Sequence, residues 1–256
     1  MYYSGNKTIT GNNIITGNKI ILGTDTGIGL YRRGHGNLIS KNTIELSSVG
    51  IGLYVDIGSG DIVSDNVVKA NEYGIFVSVN STVTGNKAVE NTDFGIWLSG
   101  KTGIKVRDNH FRGNGIGIDI TWASGNSIYR NNFIANGDQV HATSPNIWHG
   151  RWNVTGNYWS DCTDTDTNGD GTGDTPYIID SNNKDNFPFM NPYLPGDINH
   201  DGQVNMIDLN IISKAYGSSH GHPSWDRRAD LNEDAVIGMN DMNIASANFG
   251  KTWQTY

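Results

Sequence analysis

Short runs of alternating apolar and polar residues recur through residues 1–160 at a nearly fixed distance. One block reads TGIGLY (26–31), VGIGLY (49–54), YGIFVS (73–78), FGIWLS (94–99) and NGIGID (114–119). A second block, out of phase, reads NLISKNTI (37–44), DIVSDNVV (61–68), STVTGNKA (81–88), GIKVRDNHF (103–111) and NSIYRNNF (126–133). Gly27, Gly50, Gly74 and Gly95 are 23, 24 and 21 residues apart. A period of two is that of a β-strand, and no segment here holds the helical period of 3.6 over ten residues. A unit of about 20–25 residues with two or three short strands cannot bury its own apolar face; stacked units bury a continuous column of Ile, Val and Leu. The pattern therefore predicts an all-β parallel β-helix, a solenoid. The leucine-rich repeat has a similar period, but its leucine pattern is absent.

Asn42, Asn66, Asn86, Asn109 and Asn132 follow the second block. Asparagine tolerates the left-handed backbone of a tight corner, and stacked asparagines hydrogen-bond from coil to coil. In the GIGLY strands Ile and Leu point inward and their neighbours outward. The first outward column is then Gly29, Gly52, Phe76, Trp97 and Gly117, and the second Tyr31, Tyr54, Ser78, Ser99 and Asp119. Arg33, Asp56, Lys101 and Trp122 lie further along. Aromatic faces pack against sugar rings and charged groups contact hydroxyls or carboxylates. Tyr31, Tyr54, Phe76, Trp97 and Asp119 are thus the candidate residues for a polysaccharide lying along the axis. A pair of glycosidase carboxylates sits roughly 5–9.5 Å apart, whereas Asp56 and Asp119, three coils apart, are separated by roughly 14 Å. His35, His110 and His141 are isolated in sequence and read as loop or surface residues.

Composition narrows the class. The chain has 256 residues, 33 of them glycine, and a net charge of −8, which suits cation binding and argues against a nucleic-acid partner. Its one cysteine, Cys162, excludes an internal disulfide. No apolar run reaches the ~20 residues of a membrane span. The start, MYYSGNKTIT, is not a signal peptide; it opens mid-pattern, as a piece of a longer chain does. Three N-x-[ST] sequons, at Asn6, Asn80 and Asn153, fit secretion.

The pattern changes after residue 160. DTNGDGTGD (166–174) places Asp166, Asn168, Asp170 and Asp174 as oxygen donors around Gly171, the spacing of a hard-cation loop, although Tyr177 stands at its twelfth place. GDINHDGQVNMIDLN (196–210) is more specific. Asp197, Asn199 and Asp201 fill places 1, 3 and 5, Gly202 place 6, the Gln203 carbonyl place 7 and Asp208 place 12 of a calcium loop. A shift of 33 brings Asp230, Asn232, Asp234, the Val236 carbonyl and Asp241 onto the same places, with Ala235 where glycine is expected. Each loop feeds a short amphipathic helix that ends at Gly217 or Gly250.

Residues 1–190 resemble the right-handed β-helix repeat proteins of the NosD-like and carbohydrate-binding/sugar-hydrolase group, carried by the N-x-I and G-I-x-L motifs and by GNYWSDCTDTDTNGDGTGDTPYIIDSNNKDNFPFM (156–190). Residues 195–253 resemble a type I dockerin in their duplicated loop–helix and in Asp at place 12. That resemblance implies calcium-dependent folding and docking to a cohesin, with places 10 and 11 as contacts: Met206, Ile207, Met239 and Asn240. These are not the small hydroxyl residues of well-known cellulosomal dockerins. The expected organisation is a right-handed parallel β-helix (1–160), an Asp/Gly-rich closing segment and linker (161–194) and a small α-helical paired calcium-loop domain (195–253), with two Ca²⁺ ions in the last and a third in 166–174. The leading reading is an extracellular or surface-attached protein that binds polysaccharide and docks to a cohesin-bearing partner. A polysaccharide hydrolase or lyase, and a structural or NosD-like accessory protein, are the alternatives.

Overall fold

The structure is a computed structural model that describes residues 14–21, 25–31, 36–54, 59–78, 80–100, 102–150 and 155–253, without the side chains of 29–31, 53, 54 and 59. Three parallel sheets form the faces of a β-solenoid. The first contains Ile14–Thr16, Leu38–Ser40, Ser59–Ser64, Asn80–Thr84, Lys105–Arg107 and Ser127–Tyr129. The second runs from Lys19–Ile21 through Thr43–Glu45, Val67–Lys69, Lys87–Val89, His110–Arg112 and Asn132–Ile134 to Tyr158–Trp159. The third stacks Thr26–Tyr31, Val49–Tyr54, Tyr73–Val77, Phe94–Leu98, Ile116–Ile120 and Asp138–Ala142.

Register puts like residues on like. Ile28, Ile51, Ile75, Ile96 and Ile118 pair in sequence on the third sheet, and all are buried. On the second sheet the inward column is Ile44, Val68, Ala88, Phe111, Phe133 and Trp159. The rings near its end stack, Phe133 on Trp159 at 4.4 Å and Trp159 on Tyr177 at 4.3 Å. From Ala88 on, a growing side-chain size thus closes the apolar column, and a hairpin of Tyr177–Ile178 with Lys184–Asp185 lies over it. Where the strands of the third sheet begin, glycine is required. A Cβ on Gly74 would lie 2.4 Å from the Gly95 carbonyl oxygen, and one on Gly95 2.6 Å from that of Gly117.

The asparagines divide the two roles that the sequence assigns to one residue. Asn18, Asn42, Asn66, Asn86, Asn109, Asn131 and Asn157 form a ladder in which each backbone N–H and Nδ2 donates to the next Oδ1. The left-handed residue is the one before: Lys41, Asp65, Gly85, Asp108 and Arg130 all have positive φ. The ladder also takes Asn131, not Asn132, whose side chain instead holds the backbone of Tyr193. The ladder ends on a carboxylate. Asp185 Oδ2 accepts from Asn157 N at 2.7 Å, Asn157 Nδ2 at 3.2 Å and Trp159 Nε1 at 3.0 Å, and Oδ1 accepts from Phe187 N at 3.0 Å.

Beyond residue 195 the fold is helical. The first helix, α1, is Met206–Ala215, capped by the Asn205 side chain on Ile207 N. The second, α2, is Met239–Asn248. Gly217 and Gly250 follow them at φ +79 and +80, the left-handed stop that the sequence predicts. Their shared core is small: Ile198, Ile212, Ala215, Ala229, Leu231, Ile237 and Ala245. Among the described residues no helix is long and apolar enough to cross a membrane.

Candidate functional site

The outward face of the third sheet differs from the expectation in phase. Trp97 pairs with Asp119, not with Gly117, because Gly115 lies in the preceding turn and Gly117 continues the glycine stack. The outward column is therefore Gly29, Gly52, Phe76, Trp97, Asp119 and His141. Phe76 is not an exposed rung, being only 9% accessible. Its ring sits 4.8 Å from Trp97, edge to face. Tyr73 and Phe94, from the start of the same strands, join them: Tyr73–Phe94 5.4 Å, Tyr73–Trp97 5.7 Å, Phe94–Trp97 5.9 Å. Four aromatics thus make one patch, with Trp97 half-buried and Phe76 covered. The side chains of Tyr31 and Tyr54, and residues Arg33, His35, Asp56 and Lys101, lie outside the described residues. Among the described residues Trp122 is the most exposed ring of this region, at 75%.

One partner on this face is not an isolated histidine, as the sequence suggests. His141 stands directly opposite Asp119 across the ladder, its Nδ1 3.5 Å from Oδ2. Asp119 is 6% exposed, and its Oδ1 accepts from Thr121 N at 3.0 Å and Thr121 Oγ1 at 2.8 Å. A fixed carboxylate, itself paired with Trp97, thus orients an exposed imidazole on the next coil, an arrangement suited to hydrogen-bonding hydroxyls. The sequence signal for it was the strand pattern DQVHA (138–142), one coil beyond the last block recognised.

The three Asp/Asn loops share one conformation. In the first, Asp166 accepts from Asp170 N and Gly171 N, and Asn168 Nδ2 donates to Asp170 Oδ2 at 3.0 Å. In the second, Asp197 accepts from Asp201 N and Gly202 N, and Asn199 Nδ2 donates to Asp201 Oδ2 at 2.8 Å. In the third, Asp230 accepts from Ala235 N and Asn232 Nδ2 donates to Asp234 Oδ2 at 2.8 Å. Places 4 and 6 are left-handed throughout: Gly169 and Gly171, His200 and Gly202, Glu233 and Ala235. Place 7 makes an antiparallel bridge each time, Thr172 to Phe189, Gln203 to Thr252 and Val236 to Ser219.

Place 12 separates them. Asp208 is fully buried, and accepts from Ile198 N and Asn205 N at 2.8 Å, joining loop to helix. Asp241 does the same with Leu231 N and Gly238 N. The first loop has Tyr177 there, and its hydroxyl donates to Asp161. Asp174, at place 9, accepts from Thr167 N and Thr165 Oγ1.

These carboxylates are turned onto backbone N–H groups. Among the described residues no three Asp, Glu, His or Cys side chains converge on one point. The donor set nevertheless fits calcium: Asp, Asn, Asp, a backbone carbonyl and a buried Asp supply hard oxygens only. Electrostatics agree. Burial, and then Asp208 and Asp201 beside it, push the Asp197 carboxyl up to about 7; a cation relieves that crowding. Ala235, at φ 72, carries a left-handed strain of roughly 1 kcal/mol that a loop opening without metal releases. Ala235→Gly is therefore expected to tighten the second dockerin-like site by about fivefold. Isothermal calcium titration checks this, and an unchanged second transition counts against it.

Comparison with known proteins places both halves. Residues 1–163 match the family described as periplasmic copper-binding protein (NosD), and residues 195–247 match the dockerin type I domain. A protein of Stutzerimonas stutzeri described as "Probable ABC transporter binding protein NosD" is 33% identical over 127 residues, 43% of this chain and 29% of that protein. The chain thus spans less than a third of the length of that relative. No solved structure matches. Among the described residues His110 is held neutral down to about 4 by burial and by Lys87 and Arg112, His141 faces Asp119, and no three His, Cys, Asp or Glu side chains converge on one point. Since the match spans residues 1–163 of 256, the chain belongs to the NosD family, with a type I dockerin domain behind its β-solenoid.

Proposed function

We propose that the chain is an extracellular carbohydrate-binding β-helix attached through its dockerin to a cohesin-bearing partner. The observation that carries the carbohydrate reading is the Tyr73, Phe76, Phe94 and Trp97 patch beside the Asp119–His141 pair. Ring faces supply a platform for pyranose C–H groups, and the oriented imidazole supplies a donor for hydroxyls. Met206, Ile207 and Met239 are 66%, 54% and 60% exposed, and Asn240 is exposed beside them. They form the apolar edge proposed to meet the cohesin. Two calcium ions occupy the dockerin loops in this reading. A third occupies 166–174, whose hydrogen bonds and left-handed places match theirs.

Affinity electrophoresis in gels of acidic and neutral polysaccharides tests the glycan claim. The expected outcome is retardation of the parent chain on at least one glycan and loss of most of it in Trp97→Ala, with the solenoid still folded by circular dichroism. Retardation that Trp97→Ala leaves unchanged would defeat the assignment to this face. Chain shortening or new unsaturated products would replace binding by catalysis.

A further inference from the structure

One residue joins the three parts of the molecule. Arg130 follows the last strand of the first sheet and is 4% exposed. Its Nε lies 2.8 Å from Asp108 Oδ1, one coil back. Its Nη1 donates to the Leu231 carbonyl at 3.2 Å and lies 3.8 Å from Glu233 Oε1. The guanidinium also lies over two rings, 5.5 Å from the centroid of Tyr129 and 5.4 Å from that of Tyr193. Tyr129, beside it, donates its hydroxyl to Glu233 Oε2 at 2.8 Å.

Leu231 and Glu233 are places 2 and 4 of the second dockerin loop, set between its proposed ligands Asp230, Asn232 and Asp234. We propose that Tyr129 and Arg130 at the end of the β-helix are positioning residues for that calcium loop, gripping it at places 2 and 4 so that docking of the domain and calcium binding are linked. The grip falls where the loop needs it. Glu233 is itself left-handed at φ 64, two residues before the strained Ala235 at φ 72. An ion pair and a hydroxyl bond to its side chain hold that backbone in the calcium-ready shape, which glycine at place 6 makes easier in the loop from Asp197 to Asp208. That loop is held by packing instead: its place 4, His200, stacks on Phe189 at 4.4 Å. Linkage is reciprocal, so calcium in the second loop also fastens the dockerin to the β-helix.

The inference rests on calcium binding by the dockerin loops. Calcium titration of the full chain tests it with the parent, Tyr129→Phe, Glu233→Gln and the double variant, alongside hydrogen exchange of residues 126–133. Loss of one bond to a partly buried charged group is expected to weaken the second calcium transition by about tenfold. The first transition should stay unchanged. The double variant should be no weaker than about the worse single, as groups in one network are not additive. Calcium should slow exchange at 126–133 in the parent more than in either variant. Equal second-site affinity in folded Tyr129→Phe and Glu233→Gln overturns the clamp alone, and no calcium binding by the parent overturns the dockerin reading beneath it.

Discussion

Asp185→Ala lowers the melting temperature by about 10–20 °C, the expected consequence of losing roughly 5 kcal/mol. Four N–H donors, Asn157 N, Asn157 Nδ2, Trp159 Nε1 and Phe187 N, converge on this one buried carboxylate. Each donor left without an acceptor costs about 1–3 kcal/mol. Burial pushes the carboxyl up to about 6, and the same four donors oppose the rise. The position is also the acceptor end of a ladder running back to Asn18, so the charge polarises a chain of amides. Asp185→Asn is expected to recover only part of the loss, because its amide would set an N–H against one of these N–H groups. Differential scanning calorimetry reads both variants. A shift of under 3 °C for Asp185→Ala would mean that the closing segment does not depend on this carboxylate.

Calcium removal is expected to unfold residues 195–253 while the solenoid persists. The dockerin core holds seven buried side chains, three of them alanine, too few to offset chain entropy unaided. Two fully buried carboxylates, Asp208 and Asp241, sit within it. Protonation does not set a net sign here, because two groups oppose each other. Asp197, pushed up to about 7, favours the metal-free fold at low pH, whereas His200, held neutral down to about 4 by burial, disfavours it there. Hydrogen exchange checks the calcium dependence: with chelator, peptides from 195–253 should lose protection and those from 60–120 keep it. Full protection of α1 and α2 without calcium would contradict it.

The legible parts of the fold are those written by local repetition. The period of two and the glycine spacing led to a parallel solenoid, since Gly74 and Gly95 have no room for a Cβ. The duplicated loop gave α1 and α2 and their glycine stops for the same reason: ligand spacing, cap and αL residue all lie within one short segment. Asp119 shows where such reading stops. With no neighbouring coil in view, NGIGID aligns as well on its first glycine as on its second. The choice belongs to the ladder, which pairs Asp119 with Trp97 and brings in His141. Asn131 and Asn132 pose the same problem, two adjacent amides of which one enters the stack and the other holds Tyr193. The burial of Phe76 depends on Trp97 crossing it from the next coil.

By itself, then, the sequence determined the period, the core composition and the spacing of the Asp and Asn side chains in the three loops, because each is set by residues close along the chain. Only the tertiary structure decided which outward residues meet and how the two halves join. Arg130 sits in an ordinary corner of the repeat, and nothing near it in sequence marks it. Its partners Asp108, Tyr193, Leu231 and Glu233 come from three segments that only the stacking of coils and the return of the chain bring within reach of one guanidinium.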